Sequence, residues 1–135
     1  MPVNGWRVWA VDELAWYQYS GSAWAADDTI WANLTLTNSW AVSSGLTPQW
    51  RRVKGVVYLR GKCENTTFSN NGTASFTLEA GSRPGQTSSF AARGGATDIT
   101  AAKVSITTSG VASLTDLVTA SGTVYVNLSG ITFAV

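Results

Sequence analysis

The sequence predicts an all-β protein, an antiparallel β-sandwich of jelly-roll-like kind or a related barrel, preceded by a short β-hairpin or meander module. Three observations predict it. The chain is rich in Thr, Ser, Val, Ala, Gly and Trp and poor in Lys, Glu and Leu, so it avoids good helix formers and favours residues that sit well on a pleated sheet. Short β-forming runs follow one another at close spacing, divided by Gly, Asn, Ser and Pro. No heptad, internal repeat or Gly-X-Y tract interrupts that pattern.

Residues 1–28 form the first unit. The stretch GWRVWAVDELAWYQYSGSAW, Gly5 to Trp24, reads as a strand, an acidic turn around Asp12 and Glu13, a second strand, and a Ser-Gly-Ser turn leading to Trp24. It carries Trp6, Trp9, Trp16 and Trp24, four of the seven tryptophans. A hairpin alone is marginal in water, so its aromatic face should lie against the main domain or another chain. The candidate docking contacts are therefore Trp6, Trp9, Trp16, Tyr17, Tyr19 and Trp24.

Residues 29–135 form the sandwich. Its expected strands are TIWANLTLT, PQWRRV, VVYLRG, ASFTLEA, TSSFAAR, ITAAKVSITT, GVASL, TVYVNL and ITFAV, with the Gly pair of ARGGATD in a turn. VKGVVY is the clearest hairpin signal. A Lys54-Gly55 turn pairs Val53 with Val56, Arg52 with Val57, Arg51 with Tyr58 and Trp50 with Leu59. The basic residues are then divided between two faces, and Arg51 can stack on Tyr58 across the strands.

At 135 residues the chain can bury roughly two-thirds of the surface its unfolded form exposes, so it needs no covalent staple. The lone Cys63 has no partner for a disulfide and no neighbouring ligands for zinc, which makes it a buried thiol. The chain has no histidine, so the commonest general base and metal ligand are missing. The carboxylates Glu64, Glu79, Asp98 and Asp116 are isolated, and the adjacent Asp27 and Asp28 would point to opposite faces of a strand. No catalytic, cofactor-binding or metal site is expected, and the N-terminus has neither a signal-peptide pattern nor a membrane span.

Net charge is +1 but unevenly spread. Residues 1–28 hold one arginine against four carboxylates, a net −3, while the remainder holds eight basic and four acidic residues, a net +4. That polarity fits two ends with different partners better than a nucleic-acid binder, whose basic excess would be far larger.

The succession LTLTNSW, QWRRVKGVVYLRG, ASFTLEAGSRP and VYVNLSGITF resembles the small β-sandwich heads at the C-termini of tailed-bacteriophage tail and fibre proteins. Those heads run from a tryptophan strand through an R-x-V-x-G-V-V-x-L-x-G hairpin and an F-T-L-P-A-G-x-R-P turn to a closing L-x-G-I-x-[FY] strand. Here Arg52, Val53, Gly55, Val56, Val57, Leu59 and Gly61 fall on the hairpin. Phe76, Thr77, Leu78, Ala80, Gly81, Arg83 and Pro84 fall on the turn, and Leu128, Gly130, Ile131 and Phe133 on the last strand. Glu79 and Ser82 depart from the proline and aromatic usual at those places. The N-terminal stretch separately looks like a Trp-rich hairpin module of phage and phage-like particle proteins.

The resemblance implies a homotrimer attached to other virion proteins, with host-surface saccharide as the ligand of some members. The expectation is a non-enzymatic structural protein on a tailed-phage virion, assembled in the host bacterial cytoplasm and serving as a tail-tip or fibre head. Its rivals are a capsid decoration or head-fibre protein and a small polysaccharide-degrading enzyme.

Overall fold

The computed structural model describes residues 1–11, 15–19, 21–26, 28–68, 73–95, 100–115 and 123–135, with Ala15, Trp16, Ala25, Ala26 and Thr100 described by backbone alone. The architecture is all-β, and every strand pair is antiparallel. Strands β1 (Arg7–Ala10), β2 (Ala15–Tyr19) and β3 (Trp24–Ala26) make an N-terminal meander in the order β1-β2-β3. Thr29 joins the body: its amide donates to the Arg52 carbonyl at 2.7 Å, and its Oγ1 accepts the Arg52 amide at 2.8 Å.

The body contains two sheets. Strands β4 (Ala32–Asn33), β6 (Gln49–Val53), β7 (Val56–Arg60) and β14 (Thr132–Ala134) form a four-stranded sheet in the order β14-β7-β6-β4. The seven-stranded sheet uses β5 (Trp40–Val42), β8 (Lys62–Asn65), β9 (Ala74–Thr77), β10 (Ser88–Gly95), β11 (Thr100–Ile106), β12 (Val111–Thr115) and β13 (Val124–Asn127). Its order is β5-β8-β13-β10-β11-β12-β9. One 3-10 turn, Ala80–Ser82, follows β9.

The seven-stranded sheet is nearly closed, like a barrel. Residues 36–38 run along its far edge: Leu36 bridges Phe76, the Thr37 amide donates to the Ser75 carbonyl at 2.9 Å, and Asn38 Nδ2 donates to the Ala74 carbonyl at 2.7 Å. Two residues on, the same chain has become β5 and pairs with β8 at the opposite edge. Asn38 and Ser39 make the switch with φ of 53° and 65°, a left-handed conformation that asparagine tolerates better than most residues. Asn65, itself buried, donates to the Asn38 carbonyl at 3.2 Å and so ties the seam from the other side. Closure of this kind removes the unpaired edges that make open sheets prone to aggregation.

One core lies between the sheets. Trp50, Val57, Leu59 and Phe133 enter it from the four-stranded sheet, and Phe76, Val104, Ile106, Leu114, Val124 and Val126 from the seven-stranded one. β7, β12 and β13 alternate buried and part-exposed positions residue by residue, the mark of a sheet with one wet face. Each large apolar side chain buried this way contributes about 1.5–3 kcal/mol.

The β6–β7 hairpin has the expected register at all four pairs, and its Lys54-Gly55 turn has φ of 50° and 76°, the type I′ geometry that matches strand twist. Four elements differ from expectation. TIWANLTLT is not one strand, because it serves two sheets in turn: Ala32–Asn33 pair with β6, and Leu36 bridges β9. The strands β5 and β8 carry no clear signal, since β8 turns Cys63 and the polar Asn65 to the same interior. Gly94 and Gly95 of ARGG end a strand and pair with Val126 and Tyr125 instead of forming a turn.

Candidate functional site

Two regions carry groups that a partner could use. The first is the N-terminal sheet. No described residue before Leu34 is buried. In register, Val8 lies opposite Tyr17, and Tyr19 opposite Trp24, so these four side chains share a face. The Trp6 carbonyl accepts the Tyr19 amide at 2.8 Å and extends the row. The Tyr19 and Trp24 rings are 5.3 Å apart and tilted by 55°, a favourable aromatic arrangement that fixes both.

Trp6 is 53% exposed, Val8 45% and Trp24 42%. Of the six docking candidates, Trp6, Tyr17, Tyr19 and Trp24 thus gather along one side. Trp9, also exposed, belongs to the opposite face with Arg7. Trp16 pairs with Trp9 through the backbone, and its side chain lies outside the described residues, as do Asp12 and Glu13 of the acidic turn.

The second region is the outer face of the four-stranded sheet, where the hairpin's register turns Arg51, Tyr58 and Arg60 away from the core. The Arg51 guanidinium lies 4.8 Å from the Trp31 ring centre and 5.5 Å from that of Tyr58. Arg60 lies 4.0 Å from the same Trp31 ring. One row over, Arg60 Nε donates to Gln49 Oε1 at 2.8 Å, and Gln49 Nε2 donates to Asn33 Oδ1 at 2.8 Å. Two cations therefore share one indole, and an amide chain across three strands holds one of them in place. Among the described residues neither guanidinium meets a carboxylate, and the buried Nε of Arg51 has no hydrogen-bond partner. Arg60 and Gln49 also form one wall of a cleft of about 420 Å³ whose other walls include Thr47, Asn127 and Ser129.

The remaining hairpin arginine is structural. Arg52 Nη1 donates to the Gly81 carbonyl, so the hairpin stretch and the FTLEAGSRP turn touch each other directly. Arg83 Nε caps the Leu78 carbonyl at 3.1 Å. Gly61 has φ of 92°, and a Cβ there would stand 2.2 Å from the Thr47 carbonyl oxygen. These motif residues hold the scaffold together and leave its ligand open.

Burial pushes the Cys63 thiol up to about 12, with a backbone hydrogen bond acting in the opposite direction. At neutral pH it is a protonated, inert core group. Glu64 is half-buried on β8 and Glu79 exposed before the 3-10 turn, while Asp98 and Asp116 lie outside the described residues. No cluster of three metal-ligating side chains occurs among the described residues, and no helix there is long and apolar enough to cross a membrane.

Sequence reasoning missed Trp31, Asn33 and Gln49 as partners of the arginines. The signal existed in the parity of the strands, but reading it required knowing that β4 pairs with β6. No family model, curated protein or solved structure matches the chain. The likeness to phage heads rests on the motif residues themselves.

Proposed function

We propose that this chain is a non-enzymatic structural protein on the surface of a tailed-phage virion, a trimeric tail-tip or fibre head that docks through its N-terminal sheet. The observation that carries the reading is that sheet. A three-stranded meander with no buried residue among those described, and with Trp6, Val8 and Trp24 exposed along one side, has little core of its own. Its apolar face is stabilised fully only when another protein covers it.

The body supports the same reading. Its two sheets pack over one core, in keeping with a jelly-roll-like sandwich head, and the hairpin and turn that resemble phage heads are in contact through Arg52 and Gly81. The outer face of the four-stranded sheet is where we place host-surface saccharide, the ligand class that the resemblance implies.

Electron microscopy of particles carrying a tagged copy tests the assignment. Label at the tail tip or fibre is the expected result. Label spread over the capsid would make the chain a capsid decoration or head-fibre protein, and unlabelled particles would remove the virion role. Light scattering should give three copies per assembly; a stable monomer both alone and in particle-like conditions contradicts the trimer. Host glycans incubated with the protein should yield no new reducing ends.

A further inference from the structure

We infer that the outer face of the β4-β6-β7 sheet is a binding site for an acidic glycan, one bearing carboxylate or phosphate groups, with Arg60 and Arg51 as its anion-binding residues and the adjoining cleft as the seat of the sugar. The inference rests on the saccharide-binding part of the proposed function and names the ligand's chemistry.

The argument begins with what holds the two arginines. An exposed arginine ordinarily samples many rotamers, and fixing it costs side-chain entropy. Here Arg60 is fixed twice, by the Trp31 face at 4.0 Å and by Gln49 Oε1 at 2.8 Å, with Gln49 in turn fixed by Asn33. Arg51 is fixed between Trp31 and Tyr58. Neither is fixed by a carboxylate among the described residues. Both guanidinium groups draw on one indole, so this face carries two positive charges that an anion would offset. A guanidinium held by its face and one edge keeps further N–H donors for a bidentate contact with a carboxylate or phosphate. The ordering cost of binding is thereby met before the ligand arrives.

The cleft decides what carries the anion. At about 420 Å³ it lies within the size range of small-ligand sites and suits one or two sugar units. Thr47, Asn127 and Ser129 give its walls hydroxyl and amide groups, which match a ring of hydroxyls. A nucleic acid would need aromatic faces open to its bases, and the Trp31 ring is already stacked by both guanidinium groups.

The test is a binding titration of the full-length protein with polygalacturonate, with a polyribitol-phosphate glycan, with carboxyl-reduced polygalacturonate and with single-stranded DNA. Saturable binding of either acidic glycan is expected, weakening as salt rises, and the arm that binds identifies the anion as carboxylate or phosphate. The reduced polymer should bind at least tenfold more weakly than its acidic parent. Arg60→Gln and Arg51→Gln should each lower the affinity about tenfold, Arg60→Lys should fall between Arg60→Gln and the native chain, and Arg7→Gln, an equal loss of charge on the N-terminal sheet, should leave it unchanged. Thermal melts of each variant identify any that fails to fold.

No binding to either acidic glycan, equal binding to the reduced polymer, equal weakening by Arg7→Gln, or tighter binding to DNA would each overturn the inference. Localisation of the tagged chain separates the two readings. Particles that carry the chain while the glycans fail to bind sink the site and spare the virion role; glycan binding by a chain missing from particles does the reverse.

Discussion

Residues 1–28 and the body that follows are built from the same parts, short antiparallel strands, and they differ in what those strands face. In β12 and β13 the alternation of side chains is converted into alternation of burial, because one face of the sheet has the core beneath it. In β1 the residues RVWA alternate as well, yet Arg7, Val8 and Trp9 are all exposed. The backbone hydrogen bonds are equally good in both places, with Tyr19 to Trp6 at 2.8 Å and Leu78 to Gly110 at 3.0 Å. What separates the two regions is apolar burial, which supplies most of the net stability of a sheet, while each hydrogen bond adds only about 1 kcal/mol. An aromatic sheet without burial is a surface in need of a partner.

The strongest way to break this comparison is to attack the core. Phe76 is fully buried on β9, at the seam where Leu36 bridges it. Phe76→Ala keeps that backbone bridge but leaves a cavity beside it, so unfolding monitored by denaturant should show a loss of about 3–5 kcal/mol. The body should still unfold in a single transition, since both sheets share the core. A loss below about 1 kcal/mol would mean that the seam is not integral to the fold.

The seam also shows where the sequence stopped being readable. The β6–β7 hairpin was legible to the residue, because a Lys-Gly turn between alternating strands fixes the register locally. The motif turn from Phe76 to Pro84 was legible as a unit, and Arg52, Gly81 and Arg83 proved to be its ties. The switch at Asn38 and Ser39 was not, because its cause is a pair of partners far along the chain, Ala74 and Asn65. The arginine cluster on the outer face of the four-stranded sheet was hidden for the same reason. Arg51 and Tyr58 could be placed together from the hairpin alone, whereas Trp31, Asn33 and Gln49 join them only once the short β4 docks on β6.

A pH measurement sharpens the contrast more finely. Cys63 belongs to the body's core, and its folded thiol titrates at about 12 against an ordinary value of 9.0. Its folded value is raised, so the native state holds the proton that the unfolded chain releases. That contribution is fully present below pH 9 and is lost as pH rises toward 12. Stability should fall by up to about 1.4 kcal/mol per pH unit across that window from this group alone. Cys63→Ala should start less stable and show a shallower alkaline decline. At pH 7.5 a thiol reagent should label the native protein only as fast as it opens; rapid labelling would mean that the β8–β13 contact is loose.

The smallest expected stability change carries the most functional weight. Trp6→Ser with Trp24→Ser removes two exposed indoles from the N-terminal sheet and no core contact. The isolated protein should lose no more than about 1.5 kcal/mol, the worth of the Tyr19–Trp24 ring pair that goes with Trp24. If the sheet is covered in the particle, the same pair loses most of its buried apolar area there, and incorporation should drop at least tenfold in particles assembled with equal amounts of native and variant chain. Arg7→Gln, on the other face, should compete almost evenly. The two readouts must diverge for docking through the Trp6, Tyr19 and Trp24 row to hold. A variant destabilised as much as Phe76→Ala would place that row in the chain's own core, and one that enters particles as well as the native chain would leave the aromatic face without its partner.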